Sequence, residues 1–281
     1  DTIGVNDCQI LAHYKYEANQ YILTLSSKEI AEATQPGQFV HLSVSGILAM
    51  RRPISVMSVD KENGTFDLLY KIVGEGTRQL ADRKIGDMLS VIGPIGNGFQ
   101  MTDKKIPLLI GGGVGMPPII AIAQNIKDND YFSPYVILGS EVPFPFDTVS
   151  SNLGGFYSSK IHTMPLLEEW GVQAGLTSLQ SFDGVYEGYV TGLAKEYLDS
   201  LSEADLLNVE IFTCGPHPML EAVSKLAKDY NLPCQVSLEE YMACAVGGCA
   251  GCVVEVQTEN GPAMKRVCVD GPVFEAQTVF Q

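Results

Sequence analysis

Four cysteines near the C-terminal end of the chain have to meet in space. Cys244, Cys249, Cys252 and Cys268 are spaced C-x4-C-x2-C, with fifteen residues before the fourth. That is the spacing of the thiolates around a plant-type 2Fe–2S cluster. Two irons need two thiolates each, so the loop must curl tightly and turn backbone N–H groups toward the sulfurs. Gly247, Gly248 and Gly251 permit such a curl, because glycine enters positive φ at little steric cost. Residues 252–257 alternate as a strand, and Asn260-Gly261 is a hairpin turn signal. A two-residue loop there predicts Glu259 opposite Pro262 and Cys252 opposite Val269, which returns Cys268 to the other three. The alternatives are a zinc site and a disulfide framework. Zinc knuckles come as paired C-x2-C, whereas one gap here is four. Disulfides fit poorly with seven cysteines and no visible secretory signal. Cys8 and Cys234 stand alone and read as small buried hydrophobes.

Composition narrows the partners. Of 281 residues, 46% are hydrophobic and 18% charged, and the net charge is −15. An acidic chain is a poor ligand for phosphate backbones and offers no polybasic patch to an anionic membrane. No stretch approaches the ~18–20 consecutive apolar residues of a membrane span. Reduced cysteines without a visible targeting signal point to the cytoplasm.

The chain divides by pattern. Residues 21–25, 38–44 and 65–73 are short alternating stretches separated by Gly and Pro turns, which predicts a small antiparallel β-barrel over 1–101. From Ile106 apolar runs at 107–110, 135–138 and 209–213 alternate with helical patterns at 119–126 and 218–230. This predicts a Rossmann-like parallel α/β domain over 102–235. Residues 236–281 are expected to form a small 2Fe–2S domain. The fold class is therefore α/β plus all-β.

Four further motifs carry chemistry. Arg52-Pro53-Ile54-Ser55 follows a barrel-type strand, where a guanidinium pairs with a flavin pyrophosphate and the hydroxyl meets the ring edge. Gly74-Glu75-Gly76-Thr77 follows a strand and opens a helix, a natural seat for phosphate oxygens. The run 111–118, G-G-G-V-G-M-P-P, closes the first α/β strand and lets a dinucleotide approach the backbone. Met116 stands where the last glycine of a full G-x-G-x-x-G would be. Cys214-Gly215-Pro216 ends another strand of that sheet, at the edge where ligands bind. Each motif also has a plain reading as a tight turn.

In this order the motifs resemble the ferredoxin-NADP reductase superfamily. The segment E-E-Y-M-A-C-A-V-G-G-C-A-G-C-V, followed by R-V-C-V-D-G-P-V-F, looks like the electron-transfer subunits of dihydroorotate dehydrogenase B. The resemblance implies a barrel with FAD, a domain for NAD, a 2Fe–2S tail, and a partner catalytic subunit with FMN in a heterotetramer. In pyrimidine biosynthesis electrons would then pass from FMN over the cluster to FAD and leave on NAD+. Carried over, Arg52, Pro53, Ile54 and Ser55 would hold the flavin, with Tyr70, Lys71 and Ile72 beside its ring. Gly74, Gly76 and Thr77 would take its phosphates. Gly112, Gly113, Gly115, Gly215 and Pro216 would border NAD, with Cys214 as the catalytic-site residue near the nicotinamide.

Two departures stand out. Tyr241 replaces an arginine often found before the M-A-C run. Residues 140–146, S-E-V-P-F-P-F, are rich in proline and aromatics. Glu141 there can accept a ribose hydroxyl, and no arginine is offered to a 2′-phosphate, so NAD is expected over NADP. A rival expectation within the superfamily is a subunit of an NADH-dependent ferredoxin:NADP oxidoreductase or a sulfide dehydrogenase. A rival of another class is a partner-binding redox module without NAD turnover.

Overall fold

The computed structural model describes residues 3–44, 50–158 and 160–281. Six strands close the N-terminal barrel: β1 (Gly4–Tyr16), β2 (Gln20–Ser26), β3 (Phe39–Leu42), β4 (Arg52–Asp60), β5 (Thr65–Lys71) and β6 (Met88–Ile95). They run in the order β1-β2-β5-β4-β3-β6, every pair antiparallel. Alternation selects the inner face; on β6, Leu89 and Val91 enter the barrel core, while Ile95 at its end packs into the core of the nucleotide sheet. The long β1 serves two neighbours, pairing first with β6 and then with β2 across a register shift between Ile10 and Ala12. A bulge of this kind bends a strand around a barrel corner. Short helices α1 (Lys28–Ala33) and α2 (Glu75–Ala81) join the strands.

The second unit is a doubly wound sheet. Its parallel strands are β7 (Ile106–Gly112), β8 (Tyr135–Gly139), β11 (Gln173–Ser178), β12 (Tyr186–Glu187), β13 (Val209–Cys214) and β14 (Cys234–Ser237). A two-stranded ribbon, β9 (Val149–Ser150) and β10 (His162–Thr163), lies beside it. Helices α3 (Met116–Ile126), α4 (Pro165–Glu169), α5 (Val190–Ser200), α6 (Glu203–Leu206) and α7 (His217–Asp229) connect the strands. The sheet order β12-β11-β8-β7-β13-β14 reverses direction between β7 and β13, the switch point where such sheets bind ligands. β8 is buried along its whole length and β7 from Pro107 onward, as strands covered on both faces must be.

The barrel and the sheet are fastened by glutamine side chains. Gln124 on α3 accepts from Val59 N at 3.0 Å and donates to Val59 O at 2.9 Å, behaving toward β4 as a neighbouring strand would. Gln235 does the same to Gln100. Gln20 on β2 donates to Pro143 O at 2.7 Å, while Phe144 and Phe146 stack at 5.3 Å within the core beneath α3. The unusual 140–146 segment thus packs inward and clasps the barrel.

The C-terminal unit is built on a hairpin of β15 (Val253–Thr258) and β16 (Gly261–Arg266), followed by β17 (Val273–Glu275) and α8 (Ala276–Val279).

 β17 adds antiparallel to β14, so the tail of the chain covers the edge of the nucleotide sheet. The hairpin corrects the expected register. Thr258 lies opposite Gly261 and Gln257 opposite Pro262, so Cys252 faces Val267 rather than Val269. The bond from Val267 N to Cys252 O, 2.9 Å, fixes which pairs carry ladder hydrogen bonds. Pro262 then falls in a non-hydrogen-bonded pair, where its missing N–H costs nothing. The two loop residues are Glu259 and Asn260, and Gly261 follows at φ +99°.

Candidate functional site

One open cleft of about 1000 Å³ joins the three units. Its barrel wall holds Arg51, Arg52, Pro53, Ile54, Ser55, Tyr70 and Lys71, then Gly74, Gly76 and Thr77 at the start of α2. Val114 enters from the turn after β7, residues 237–243 from the chain beyond β14, Gly251 from the cysteine loop, and Pro272 from the turn before β17.

The barrel end is built for an anion. Arg52 donates to Met50 O at 2.7 Å, which holds its guanidinium over the start of α2. A methyl group on Gly76 would overlap that guanidinium, so only glycine lets the two approach. Thr77 Oγ1 accepts from Val73 N at 3.0 Å and Gly74 N at 3.3 Å, which ties the turn that opens the helix. A cation, a helix start and a hydroxyl therefore converge, as phosphate binding requires. Tyr70 stacks on Tyr21 at 5.2 Å. Its hydroxyl is 2.8 Å from His13 Nε2, and His13 Nδ1 is 3.0 Å from Arg83 O. A carbonyl only accepts, so Nδ1 carries the proton and the Tyr70 hydroxyl donates to Nε2. Ile72 leaves the cleft and packs against the barrel core.

At the switch point the two glycine turns touch. A methyl on Gly115 would come within 2.5 Å of Gly215 Cα, and one on Gly215 within 2.5 Å of Met219 Cε. These glycines serve close packing as well as any ligand. Gly113 sits at φ +56° with open space around it, and its neighbour Val114 reaches the cleft. Cys214 is fully buried, and burial pushes its thiol well above the ordinary range. Ser237, hydrogen-bonded to that thiol, is the group that reaches the cleft wall. Glu141 is exposed just past β8, where Gln180 donates to its carbonyl at 3.1 Å. Gly112, Gly113, Gly115, Glu141, Gly215 and Pro216 line the carboxyl edge of the sheet without entering the cleft wall.

The cysteines meet as two pairs. Cys252 Sγ lies 3.3 Å from Cys268 Sγ, and Cys249 hydrogen-bonds to Cys244. The loop turns backbone N–H groups inward: Gly251 N donates to Cys249 Sγ at 3.4 Å. The amides of Val246, Cys249 and Gly248 pull the Cys244 thiol down to about 7, with Val246 first. Burial, with Cys252 alongside, instead pushes Cys268 up to about 11. Among the described residues no three metal-ligating side chains converge on one ion position; the cysteines stand as two pairs, two thiols for each iron, which is the donor set a two-iron cluster takes. Cys8 and Cys234 are buried elsewhere. Sequence reasoning did not find Val114, Glu239 or Pro272 as cleft residues; only the run around residue 240 in the family motif could have signalled that wall.

Comparisons with known proteins bear on this arrangement. Residues 11–99 match the oxidoreductase FAD-binding domain, and residues 239–280 match the iron-sulfur cluster binding domain of dihydroorotate dehydrogenase B. The dihydroorotate dehydrogenase B (NAD(+)) electron transfer subunit of Caldanaerobacter subterraneus is 33% identical over 97% of this chain and 97% of its own length. The chain belongs to the family of dihydroorotate dehydrogenase B electron-transfer subunits. The Bacillus cereus member of that family is 34% identical, over 91% of both chains. Among solved structures, an NADH-dependent reduced ferredoxin-NADP oxidoreductase superposes with a TM-score of 0.80 at 24% identity, covering 98% of this chain and 90% of its own. A ferredoxin reductase of carbazole 1,9a-dioxygenase gives 0.65 at 19% identity, covering 83% and 68%. Both likenesses concern the fold. Among the described residues, no helix is long and apolar enough to cross a membrane.

Proposed function

We propose that the chain is the electron-transfer subunit of a dihydroorotate dehydrogenase B, passing electrons between a catalytic subunit and NAD in pyrimidine biosynthesis. One observation carries this reading: the same cleft touches the anion seat at Arg52, the nucleotide turn at Val114 and the cysteine loop at Gly251. FAD in such a cleft supplies the conversion between hydride and single-electron transfer. Arg52 and the start of α2 at Gly74, Gly76 and Thr77 would hold its phosphates, while Pro53, Ile54, Ser55, Tyr70 and Lys71 would orient the ring. Cys244 with Cys249, and Cys252 with Cys268, hold the two irons of a 2Fe–2S cluster. Gly112, Gly113, Gly115, Gly215 and Pro216 shape the NAD approach, and Cys214 stays a neutral thiol behind Ser237. Glu141 accepts a ribose hydroxyl, which favours NAD over NADP. The partner is an FMN-containing catalytic subunit, two of each forming a heterotetramer in the cytoplasm.

The test is anaerobic reconstitution of the purified chain with FAD, iron and sulfide. Flavin and cluster absorbance should both appear, and NADH should bleach the flavin in stopped flow. Absence of bleaching would return the chain to a partner-binding module. Capture of an FMN protein that oxidises dihydroorotate supports the pairing; capture of a glutamate-synthase-like partner instead would overturn it.

A further inference from the structure

The cysteine hairpin has little core of its own. Along β15 only Val256 is buried, and β16 has no buried residue. The cysteine loop at its base joins the nucleotide-domain core through Ala245, Cys252, Val267 and Cys268, while polar fastenings set its place against the barrel. They converge on one turn, Val269-Asp270-Gly271-Pro272.

Three units grip that turn. From the barrel, Asn97 just past β6 donates its backbone N–H to Gly271 O at 2.6 Å. Its Nδ2 donates to Val269 O at 2.9 Å and to Asp270 O at 3.3 Å. From the nucleotide sheet, Leu238 N donates to Pro272 O at 2.9 Å, and β17 continues the turn into the sheet edge. From the hairpin, Arg266 N donates to Asp270 Oδ2 at 2.7 Å and Arg266 Nε to the same oxygen at 3.4 Å. The other end of that guanidinium, Nη1, donates to Gly247 O at 3.3 Å, inside the loop between Cys244 and Cys249. Gly247 has φ +82°, and a methyl there would come within 2.6 Å of Val269 Cγ2. The turn thus reaches the cysteine loop by a charged hydrogen bond and by direct packing, while Pro272 reaches the cleft wall.

The geometry points to this turn as the bracket that sets the distance and angle between the cysteine loop and the cleft, with Asn97 and Arg266 as positioning residues for electron transfer between them. The inference rests on the electron-transfer reading above. The step it serves is exchange of one electron, in which one carrier is oxidised as the other is reduced, with no bond made or proton moved at these residues. Asn97 and Arg266 act only by orientation. Charge-assisted bonds are the stronger members of such a brace, so Arg266 should matter more than the neutral Asn97 amide.

The experiment uses the full chain reconstituted with FAD, iron and sulfide, as wild type and as Asn97→Ala, Asn97→Asp, Arg266→Gln and Arg266→Lys. NADH is mixed in stopped flow, and flavin bleaching is read separately from the later bleaching of the cluster. Cluster circular dichroism and the electron paramagnetic resonance of the dithionite-reduced cluster are recorded in parallel. Flavin bleaching should stay within about twofold of wild type, while cluster reduction slows about tenfold in Asn97→Asp and Arg266→Gln, within the range seen when groups that orient metal ligands are removed. Asn97→Ala should slow it less, and Arg266→Lys should recover part of the loss. The cluster spectra of Asn97→Asp and Arg266→Gln should shift. Unchanged cluster phase and unchanged spectra in both would overturn the bracket. If wild type showed no NADH bleaching, the electron-transfer reading would fall instead. The dithionite spectra alone would then decide whether the turn positions the loop. Should Asn97→Asp fail to fold, Arg266→Gln and Asn97→Ala carry the same comparison.

Discussion

The barrel rim and the cysteine hairpin both hold part of the candidate site, but by opposite means. The barrel places Arg52, Ser55 and Thr77 on the outside of a closed, fully packed core that includes Leu23, Leu68 and Val91. The hairpin strands bury little; their cysteine end leans on the nucleotide-domain core through Ala245, Cys252, Val267 and Cys268 and is fastened by Asn97, Arg266 and β17. A site on a packed scaffold is preorganised without its ligand. A site on a fastened loop draws part of its order from the group it binds.

The largest expected effect breaks that comparison at the hairpin. Replacing Cys252 by Ala should abolish the cluster while leaving FAD bound to the barrel. Iron content and the two absorbances, measured on one sample, check both halves. Loss of flavin together with the cluster would show that the barrel site is not independent.

The next effect belongs to the barrel core. His41 is 1% exposed, and burial, helped by the Arg51 and Arg52 charges beside it, holds its pKa down to about 4. The unfolded chain therefore binds the proton more readily, and stability present above about pH 6.5 is lost as pH falls toward 4. The linkage is worth about 3 kcal/mol on the scale of 1.36 kcal/mol per pKa unit. Denaturant unfolding of wild type and His41→Gln between pH 7 and 4 should show a steep slope only in wild type.

Third, Arg52→Ala removes charge-assisted bonds worth about 1.5–3 kcal/mol and should weaken FAD binding roughly tenfold to a hundredfold. Cluster content should not change, as equilibrium flavin titration beside iron analysis would show. The smallest effect lies where the regions face each other. Glu239 stands on the cleft wall, where desolvation by the surrounding protein pushes its carboxyl up to about 7. Its contribution is fully present below about pH 4.5 and is lost as pH rises through 7. Glu239→Gln should therefore melt slightly higher than wild type at pH 8 and no differently at pH 4.

How much of this was legible in the chain follows the same division. The cysteine quartet, Arg52 to Ser55 and Gly74 to Thr77 are short local signals, and local signals survive in a sequence. The hairpin register did not, because Asn260-Gly261 and a shifted Glu259-Asn260 loop offer similar turn chemistry. Only the ladder position of Pro262 separates them. Gly115 and Gly215 read as ligand glycines, yet their contact is with each other across a hundred residues of chain, which no local pattern encodes. The second cleft wall, 237–243, lacks any periodicity and is placed by the pairing of β14 with β17. The aromatics at 144 and 146 read only as a departure from the family pattern, and they are core.

That last strand has a consequence for how the molecule is made. β17 lies after all four cluster cysteines in chain order, yet it completes the sheet begun at Ile106. A ribosome must deliver the whole cysteine loop before the edge of β14 can be covered. Until then the nascent nucleotide domain offers an open strand to its neighbours, so cluster assembly and protection from aggregation share one moment in biosynthesis.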